Sequence, residues 1–208
     1  EALKSNTIGG NNTAIGFRSL NSNISGTYNV GLGGMALFSN TLGGSNVATG
    51  YQALHDNING GSNIAIGYMA LYTNTAKNGN IAIGQEALKQ STTGFDNIAI
   101  GYQAMTAVIT GKFNVALGYK ALFTNVGGNR NLALGYNALK FNTGNENTAT
   151  GCRSLENNTT GINNTASGYA SLFSNTEGDN NTCYGYQAGN SNITGDANVF
   201  MGFQAGKT

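Results

Sequence analysis

Apolar and polar residues alternate along the chain in one short phrase that returns about every 17 residues. The phrase is clearest at residues 63–71, Asn-Ile-Ala-Ile-Gly-Tyr-Met-Ala-Leu, and it returns at 46–54, 114–122 and 131–139. We count its leading asparagine as repeat position 1. Aliphatic or β-branched residues then stand at positions 2 and 4, which is the alternation of a β-strand. Positions 6–9 fit either a second short strand or a single helical turn.

The repeat runs through the whole chain. Twelve copies share a glycine at position 5, and the spacing is 17 residues except for 16 residues between Gly135 and Gly151. Every copy also has the leading asparagine, and we expect these side chains to stack as one hydrogen-bonded amide ladder. The predicted ladder consists of Asn12, Asn29, Asn46, Asn63, Asn80, Asn97, Asn114, Asn131, Asn147, Asn164, Asn181 and Asn198.

A repeat of this length predicts a parallel β-solenoid. Helix-turn-helix repeats run to about 33 residues or more, so a helical array is excluded. We predict an all-β fold, a β-solenoid or β-roll of about twelve coils, with residues 1–208 as a single array. Residues 181–208 are interpreted as a cap or a transition region, because Phe200 enlarges the strand while Gly189 and Gly206 replace leucine.

Specific roles follow for the repeat positions. Ile and Leu at positions 2 and 4 are expected to fill the coil, while Ala and Gly at positions 3 and 5 allow close approach. A second asparagine recurs at position 12 and a second glycine at position 15. We expect this pair to turn the chain, because Asn and Gly accept left-handed backbone angles.

The composition supports stacked columns of identical residues. Only 9% of residues are charged, against roughly a quarter in typical soluble domains. A charged column would place like charges directly opposite each other, which destabilises a sheet. The chain has no proline, which suits a backbone whose N–H groups are needed in a ladder. The net charge of +1 gives no electrostatic case for binding nucleic acid.

Both faces of the predicted strand lack charge. A solvated sheet face normally carries polar residues, so we expect one face inside the coil and the other against further copies of the chain. The aromatic column at position 6 serves either this interface or a carbohydrate-stacking platform. We predict a homotrimer, intertwined or side by side, with its axis along the solenoid.

The phrase Asn-x-Ala-Ile-Gly-Tyr-x-Ala-Leu resembles the head repeats of trimeric autotransporter adhesins. It is still more similar to arrays in phage tail-fibre-type proteins, and the resemblance covers the chain from Ala2 to Ala205. It implies a left-handed parallel β-roll wound as a trimer, displayed on a surface and used for attachment. The adhesin repeats are shorter, so the coils of this chain must have a longer turn.

Catalytic chemistry is not indicated. The single histidine, His55, stands at a variable position, and the acidic residues are scattered over different coils. We therefore expect no enzyme, no cofactor and no metal site. Cys152 and Cys183 occupy different repeat positions, so we interpret both as small buried hydrophobes and not as a disulfide.

The functional prediction is a structural fibre segment for surface attachment, in a phage tail fibre or a related extracellular fibre. One alternative is a bacterial trimeric adhesin head that binds host matrix or glycan. Another is a subunit of an end-to-end extracellular filament. The expected partners are further copies of the chain and a host cell-surface glycan or protein, with no nucleic acid and no membrane insertion. Contacts with a partner are expected from the variable positions 10, 11, 16 and 17. The candidate side chains, all at position 10, are Phe38, His55, Tyr72 and Phe123.

Overall fold

A computed structural model describes residues 1–207 as twelve short strands in one parallel sheet. The strands are stacked in chain order, so each pairs with the strands before and after it in sequence. The predicted all-β parallel β-solenoid is confirmed. Thr208, the last residue of the predicted array and of its terminal region, lies outside the described residues. The strands are Thr13–Ile15 (β1), Val30–Leu32 (β2), Val47–Thr49 (β3), Ile64–Ile66 (β4), Ile81–Ile83 (β5), Ile98–Ile100 (β6), Val115–Leu117 (β7), Leu132–Leu134 (β8), Thr148–Thr150 (β9), Thr165–Ser167 (β10), Thr182–Tyr184 (β11) and Val199–Met201 (β12).

The register places equivalent repeat positions directly above one another. Ile64 pairs with Ile81, and Ala65 pairs with Ala82. Across the shortened coil Leu132 still pairs with Thr148, so the missing residue is absorbed outside the strand. Strictly stacked columns of one residue type follow from this register.

The interior faces of the strands carry alanine, not isoleucine or leucine. Ala65 is 0% exposed, whereas Ile66 beside it is 39% exposed. The prediction that Ile and Leu of the strand fill the coil is therefore wrong. The interior is filled from the opposite wall, where position 9 supplies a column of fully buried large side chains, and this leaves room only for a small residue on the strand. That column is Leu20, Leu37, Leu54, Leu71, Leu88, Met105, Leu122, Leu139, Leu155 and Leu172.

Positions 6–9 form neither a second strand nor a helical turn. Positions 7 and 9 both adopt left-handed backbone angles, as in Met69 (φ 52°) and Leu71 (φ 53°). Such angles cost a residue with a side chain about 1–2 kcal/mol. The conformation persists because the amides it orients are used by the stack: Leu71 N–H donates to the Ala87 carbonyl at 2.9 Å. Full burial of the Leu71 side chain stabilises it further.

The asparagine and glycine of positions 12 and 15 are not the left-handed residues. The chain does bend between positions 12 and 15, as predicted. Positive φ angles occur in the described coils at positions 5, 7, 9 and 17 instead, so only the expectation of left-handed angles at this Asn and Gly is wrong. Glycine stands at position 15 for lack of space. A Cβ on Gly60 would lie 2.6 Å from the Lys77 carbonyl oxygen of the next coil and would also meet the side chain of Asn57. Close stacking of coils therefore excludes a side chain there.

Candidate interaction surfaces

The leading asparagines close each coil and join it to its neighbour. Asn63 Nδ2 donates to the carbonyl of Lys77, near the end of the same coil, at 2.8 Å. Its backbone N–H and its Nδ2 both donate to Asn46 Oδ1 of the preceding coil, at 3.0 and 3.1 Å. The side chain is fully buried. These contacts hold the rod together and leave the outer positions free to vary.

The asparagines of position 12 make a second ladder. Asn57 Nδ2 donates to Asn40 Oδ1 at 2.7 Å and to the Gly60 carbonyl at 2.9 Å. The ladder is interrupted where Ser91 and Val108 replace asparagine. Asn74 Oδ1, which faces this interruption, is buried without a hydrogen-bond partner among residues 1–207.

A third column of Asn and Asp side chains lies at position 16 and was missed by the sequence reasoning. Asn78 Oδ1 accepts from Gly61 N–H at 2.7 Å, and Asp179 Oδ1 accepts from Ile162 N–H at 2.8 Å. Asn129 and Asn145 continue the same pattern. Asn or Asp recurs at position 16 in the sequence, but the recurrence is hard to see because Phe95, Lys112 and Ile162 stand at the same position in other coils.

The outer face of the sheet is an apolar strip without charge. Positions 2 and 4 point outward, and their aliphatic side chains are half-buried or exposed, as in Ile66 and Leu117. None of the ten basic or nine acidic residues stands at position 2, 4 or 6 in any coil. In β9 and β10 the strip becomes polar but stays uncharged, and Thr150 Oγ1 donates to Ser167 Oγ at 2.8 Å.

The aromatic column at position 6 borders this strip. Its rings stack nearly parallel on one another, with centroids 5.2 Å apart for Tyr102 and Tyr119 and 5.1 Å apart for Tyr119 and Tyr136. Because the rings cover each other's faces, the column presents mainly ring edges and hydroxyls outward. This arrangement favours contact with another protein surface over stacking of sugar rings. Gly34, Gln85 and Cys152 interrupt the column.

Three of the four candidate surface contacts lie together. Phe38, His55 and Tyr72 form one parallel stack, with ring centroids 5.0 and 4.9 Å apart. His55 Nδ1 lies 2.6 Å from Asp56 Oδ1. Burial, and then the nearby Asp56 carboxylate, raises the pKa of the Tyr72 hydroxyl above its ordinary value.

Phe123, the fourth candidate, lies apart from this stack. The ammonium group of Lys120 is 5.3 Å from the Phe123 ring centroid and equally far from that of Tyr119. Position 7, which supplies Lys120, therefore bridges the aromatic columns of positions 6 and 10. All four candidate side chains are partly buried, so they present only part of their surface to a partner.

Some of the charged side chains on the flanks of the rod are paired with a neighbour. Gln103 Nε2 and Lys89 Nζ donate to the Glu86 carboxylate at 2.7 and 2.9 Å, and these hydrogen bonds hold the Glu86 pKa below its usual range. Arg153 Nε donates to Glu156 Oε2 at 2.6 Å, which raises the Arg153 pKa. These pairs stabilise the flank, and neither brings together an acid, a base and a nucleophile.

A polar cleft lies on the flank formed by positions 16 and 17. It has a volume of about 390 Å³, and it crosses the shortened coil 131–146. Positions 16 and 17 were among those expected to contact a partner, but no residue of this cleft was singled out from the sequence. Two signals were available: the one-residue deletion and a run of charged or aromatic residues at position 17. The polar cleft is lined chiefly by Lys112, Phe113, Asn129, Arg130, Asn145 and Glu146.

The two cysteines differ in environment. Cys183 is buried, as expected, and burial raises the pKa of its thiol to about 11. Cys152 stands in the outward column of position 6 and is only partly buried, so the prediction of a buried side chain is wrong for this residue. Both thiols are free.

Within residues 1–207 no three His, Cys, Asp or Glu side chains lie close enough to hold a metal ion. The described part of the chain also contains no helix with the length and apolarity to cross a membrane. Comparison of the chain with protein-family models, with curated proteins and with solved structures finds no match in any of the three.

Proposed function

We propose that this chain is a stiff structural segment of a surface-attachment fibre and that it works as a homotrimer. The observation that carries the proposal is the uncharged apolar strip along the outer face of the sheet. Monomeric soluble proteins rarely expose contiguous apolar patches larger than a few hundred Å², and larger patches mark interaction sites. The strip extends over many coils, so it calls for a partner of comparable length.

A second copy of the chain is the partner that fits this strip. Its apolar side chains repeat at the spacing of paired strands, about 4.8 Å. A partner with the same spacing can repeat the same contact at every coil. Another copy of the solenoid necessarily has that spacing, because its coils are stacked in the same way. We therefore propose parallel packing of solenoids about a common axis.

Three copies suit the shape of the uncharged surface. It consists of two adjoining stripes, the strand face of positions 2 and 4 and the aromatic edges of position 6, separated by the turn at the position-5 glycine. If each stripe meets a different neighbour, the contact is head-to-tail around the axis, and such a contact forms a ring when the rotation between copies closes. The resemblance to trimeric adhesin heads and phage tail-fibre arrays supports three as the number. It also supports a place in an extracellular or virion-borne fibre.

Sedimentation equilibrium tests the assembly. We expect the chain to sediment at three times its 21.4 kDa mass. Replacing two outward residues, Ile66→Arg together with Ile100→Arg, should weaken association at least tenfold, because it buries unpaired charges in an apolar contact. The fold should persist, since both side chains lie outside the core.

The matched control is Ala76→Arg, an exposed turn position in the same coil as Ile66. It should leave the trimer intact. A chain that remains monomeric over the whole concentration range would overturn the proposal. So would an assembly that is unchanged by the two arginines on the strip.

A second candidate function is a bacterial adhesin head that itself binds a host glycan. The polar cleft favours it, because a scaffold alone does not need a cavity lined by an open aromatic ring, amides and charged groups.

A further inference from the structure

We propose that the polar cleft binds a short acidic oligosaccharide, an inference that rests on the attachment role proposed above. The cleft volume of about 390 Å³ lies in the range of small-molecule sites, about 300–1,000 Å³. It opens on a flank that carries charged residues, not on the uncharged strip assigned to the trimer contact. Ligand binding and assembly can therefore take place on the same molecule.

The cleft contains a partly exposed aromatic ring on which no other ring of the described chain is stacked. Phe113 is 47% exposed, and it meets Phe95 edge to face, with centroids 5.3 Å apart and planes at 82°. In the position-6 column, by contrast, the rings stack and cover one another. The apolar C–H face of a sugar ring packs on an open aromatic face of this kind.

Two amides beside this ring are fixed in orientation. The backbone N–H of Asn129 and its Nδ2 both donate to Asn145 Oδ1, at 2.8 and 3.1 Å. Asn129 Oδ1 in turn accepts from the Lys112 N–H at 3.1 Å. The Nδ2 of Asn145 donates to no protein group in the described chain, so it is available to a sugar hydroxyl. Amides that are already oriented reduce the entropy lost on binding.

The charges of the cleft favour an anion. Arg130 contacts Glu146 through Nη1 alone, at 2.9 Å, which leaves its other N–H groups for a ligand carboxylate. The Lys112 ammonium lies 5.1 Å from the Phe95 ring centroid and forms no ion pair within residues 1–207. With two cations against one carboxylate, the lining is net positive. An open ring, oriented amides and a free guanidinium edge together match a uronic or sialic acid unit.

The experiment measures binding of defined oligosaccharides to the assembled protein. The probes are sialyllactose and trigalacturonate, with lactose as the neutral comparison, and binding is read by saturation-transfer NMR and titration calorimetry. We expect at least one acidic probe to bind and lactose to bind at least tenfold more weakly. Phe113→Ala and Arg130→Gln should each reduce the affinity for the acidic probe at least tenfold.

Matched controls exist elsewhere on the rod, away from the residues that line the polar cleft. Tyr28 shares position 17 and nearly the same φ with Phe113, and Arg18 has the same φ as Arg130. Tyr28→Ala and Arg18→Gln should leave the affinity unchanged.

Three results would overturn the oligosaccharide site. These are no binding of either acidic probe, binding that survives both cleft substitutions, and equal affinity for a glutamate-rich peptide of the same charge. Sedimentation of the same samples separates this outcome from failure of the proposed fibre role, since the trimer can persist without glycan binding.

Discussion

Asn97 illustrates how a single side chain connects three coils. Its Nδ2 donates to Asn80 Oδ1 of the preceding coil at 3.3 Å and to the Gly111 carbonyl of its own coil at 2.8 Å. Its Oδ1 accepts from the backbone N–H and the Nδ2 of Asn114, at 3.0 and 3.1 Å. The side chain is fully buried, so water cannot replace these bonds if they are lost.

We expect Asn97→Ala to lower the free energy of unfolding by at least about 2 kcal/mol, because it leaves more than one buried polar group unsatisfied and each such group costs about 1–3 kcal/mol. Denaturant unfolding at one fixed protein concentration measures the change. Asn59→Ala, at an exposed position, should change it by less than about 0.5 kcal/mol. Equal losses for the two variants would show that the ladder does not carry this stability.

For single residues, the sequence predicts which polar side chains stack in columns, but it does not predict the backbone angles. An asparagine in every copy indicates stacked amides, because equivalent residues of a repeat lie above one another. The left-handed angle of Leu71 has no such signal, since leucine is rare in that region. Burial and inter-coil hydrogen bonds stabilise it, and both depend on neighbouring coils.

The coil is the structural element of this protein, and its last copies rearrange the core. In most coils a small residue at position 3 faces Leu or Met at position 9. Near the C-terminal end Cys183 and Phe200 occupy position 3, and Gly189 and Gly206 occupy position 9. A Cβ on Gly189 would lie 2.7 Å from Cys183 Sγ and 2.8 Å from Phe200 Cδ2. In these last coils the large side chain therefore stands at position 3 and the small one at position 9, the reverse of the other coils.

We predict that Gly189→Leu destabilises the natural chain but stabilises a chain in which the residues facing position 189 are small. In the natural chain it should destabilise by about 2 kcal/mol or more, through overpacking and a left-handed φ of 62°. In a Cys183→Ala, Phe200→Ala background it should stabilise, because it restores the arrangement of the other coils. Thermal unfolding of the four combinations gives a coupling energy of about 1–3 kcal/mol.

Gly10→Ala is the control for glycine replacement, since a Cβ there meets no heavy atom of the described chain within 4 Å. It should have little effect in either background. If the stability losses of Gly189→Leu and of the double alanine variant simply add, then position 9 and position 3 do not compensate for each other's size, and the prediction is contradicted.

The whole molecule is a one-dimensional stack in which each strand pairs with its sequence neighbours. The stability of such an array is approximately a sum over repeats and their interfaces. Removal of one complete coil, residues 80–96, joins Gly79 to Asn97 and preserves the register. We expect the shortened chain to fold, with β-rich circular dichroism and cooperative unfolding within several degrees of the parent.

Removal of only half a coil, residues 80–88, should have the opposite effect and prevent cooperative folding. It places strand residues above turn residues and breaks every column at the junction, so cooperative unfolding should be lost. Circular dichroism during heating distinguishes the two deletions. Equal behaviour of both would mean that the coil is not the unit of stability.

The sequence by itself determined the period, the strand positions and the columns of stacked residues, because a repeat held in register must place like residues on like. It could not decide which face of the strand points inward. Positions 2 and 4 and positions 3 and 5 are all uncharged, so the alternation distinguishes two faces without orienting them. The tertiary structure decided this: the buried leucines of position 9 fill the coil from the opposite wall and leave space only for alanine. The same packing turns the larger aliphatic residues outward and creates the strip from which the trimer is proposed. The polar cleft likewise exists only in three dimensions, since it is formed by residues of successive coils around the one shortened turn.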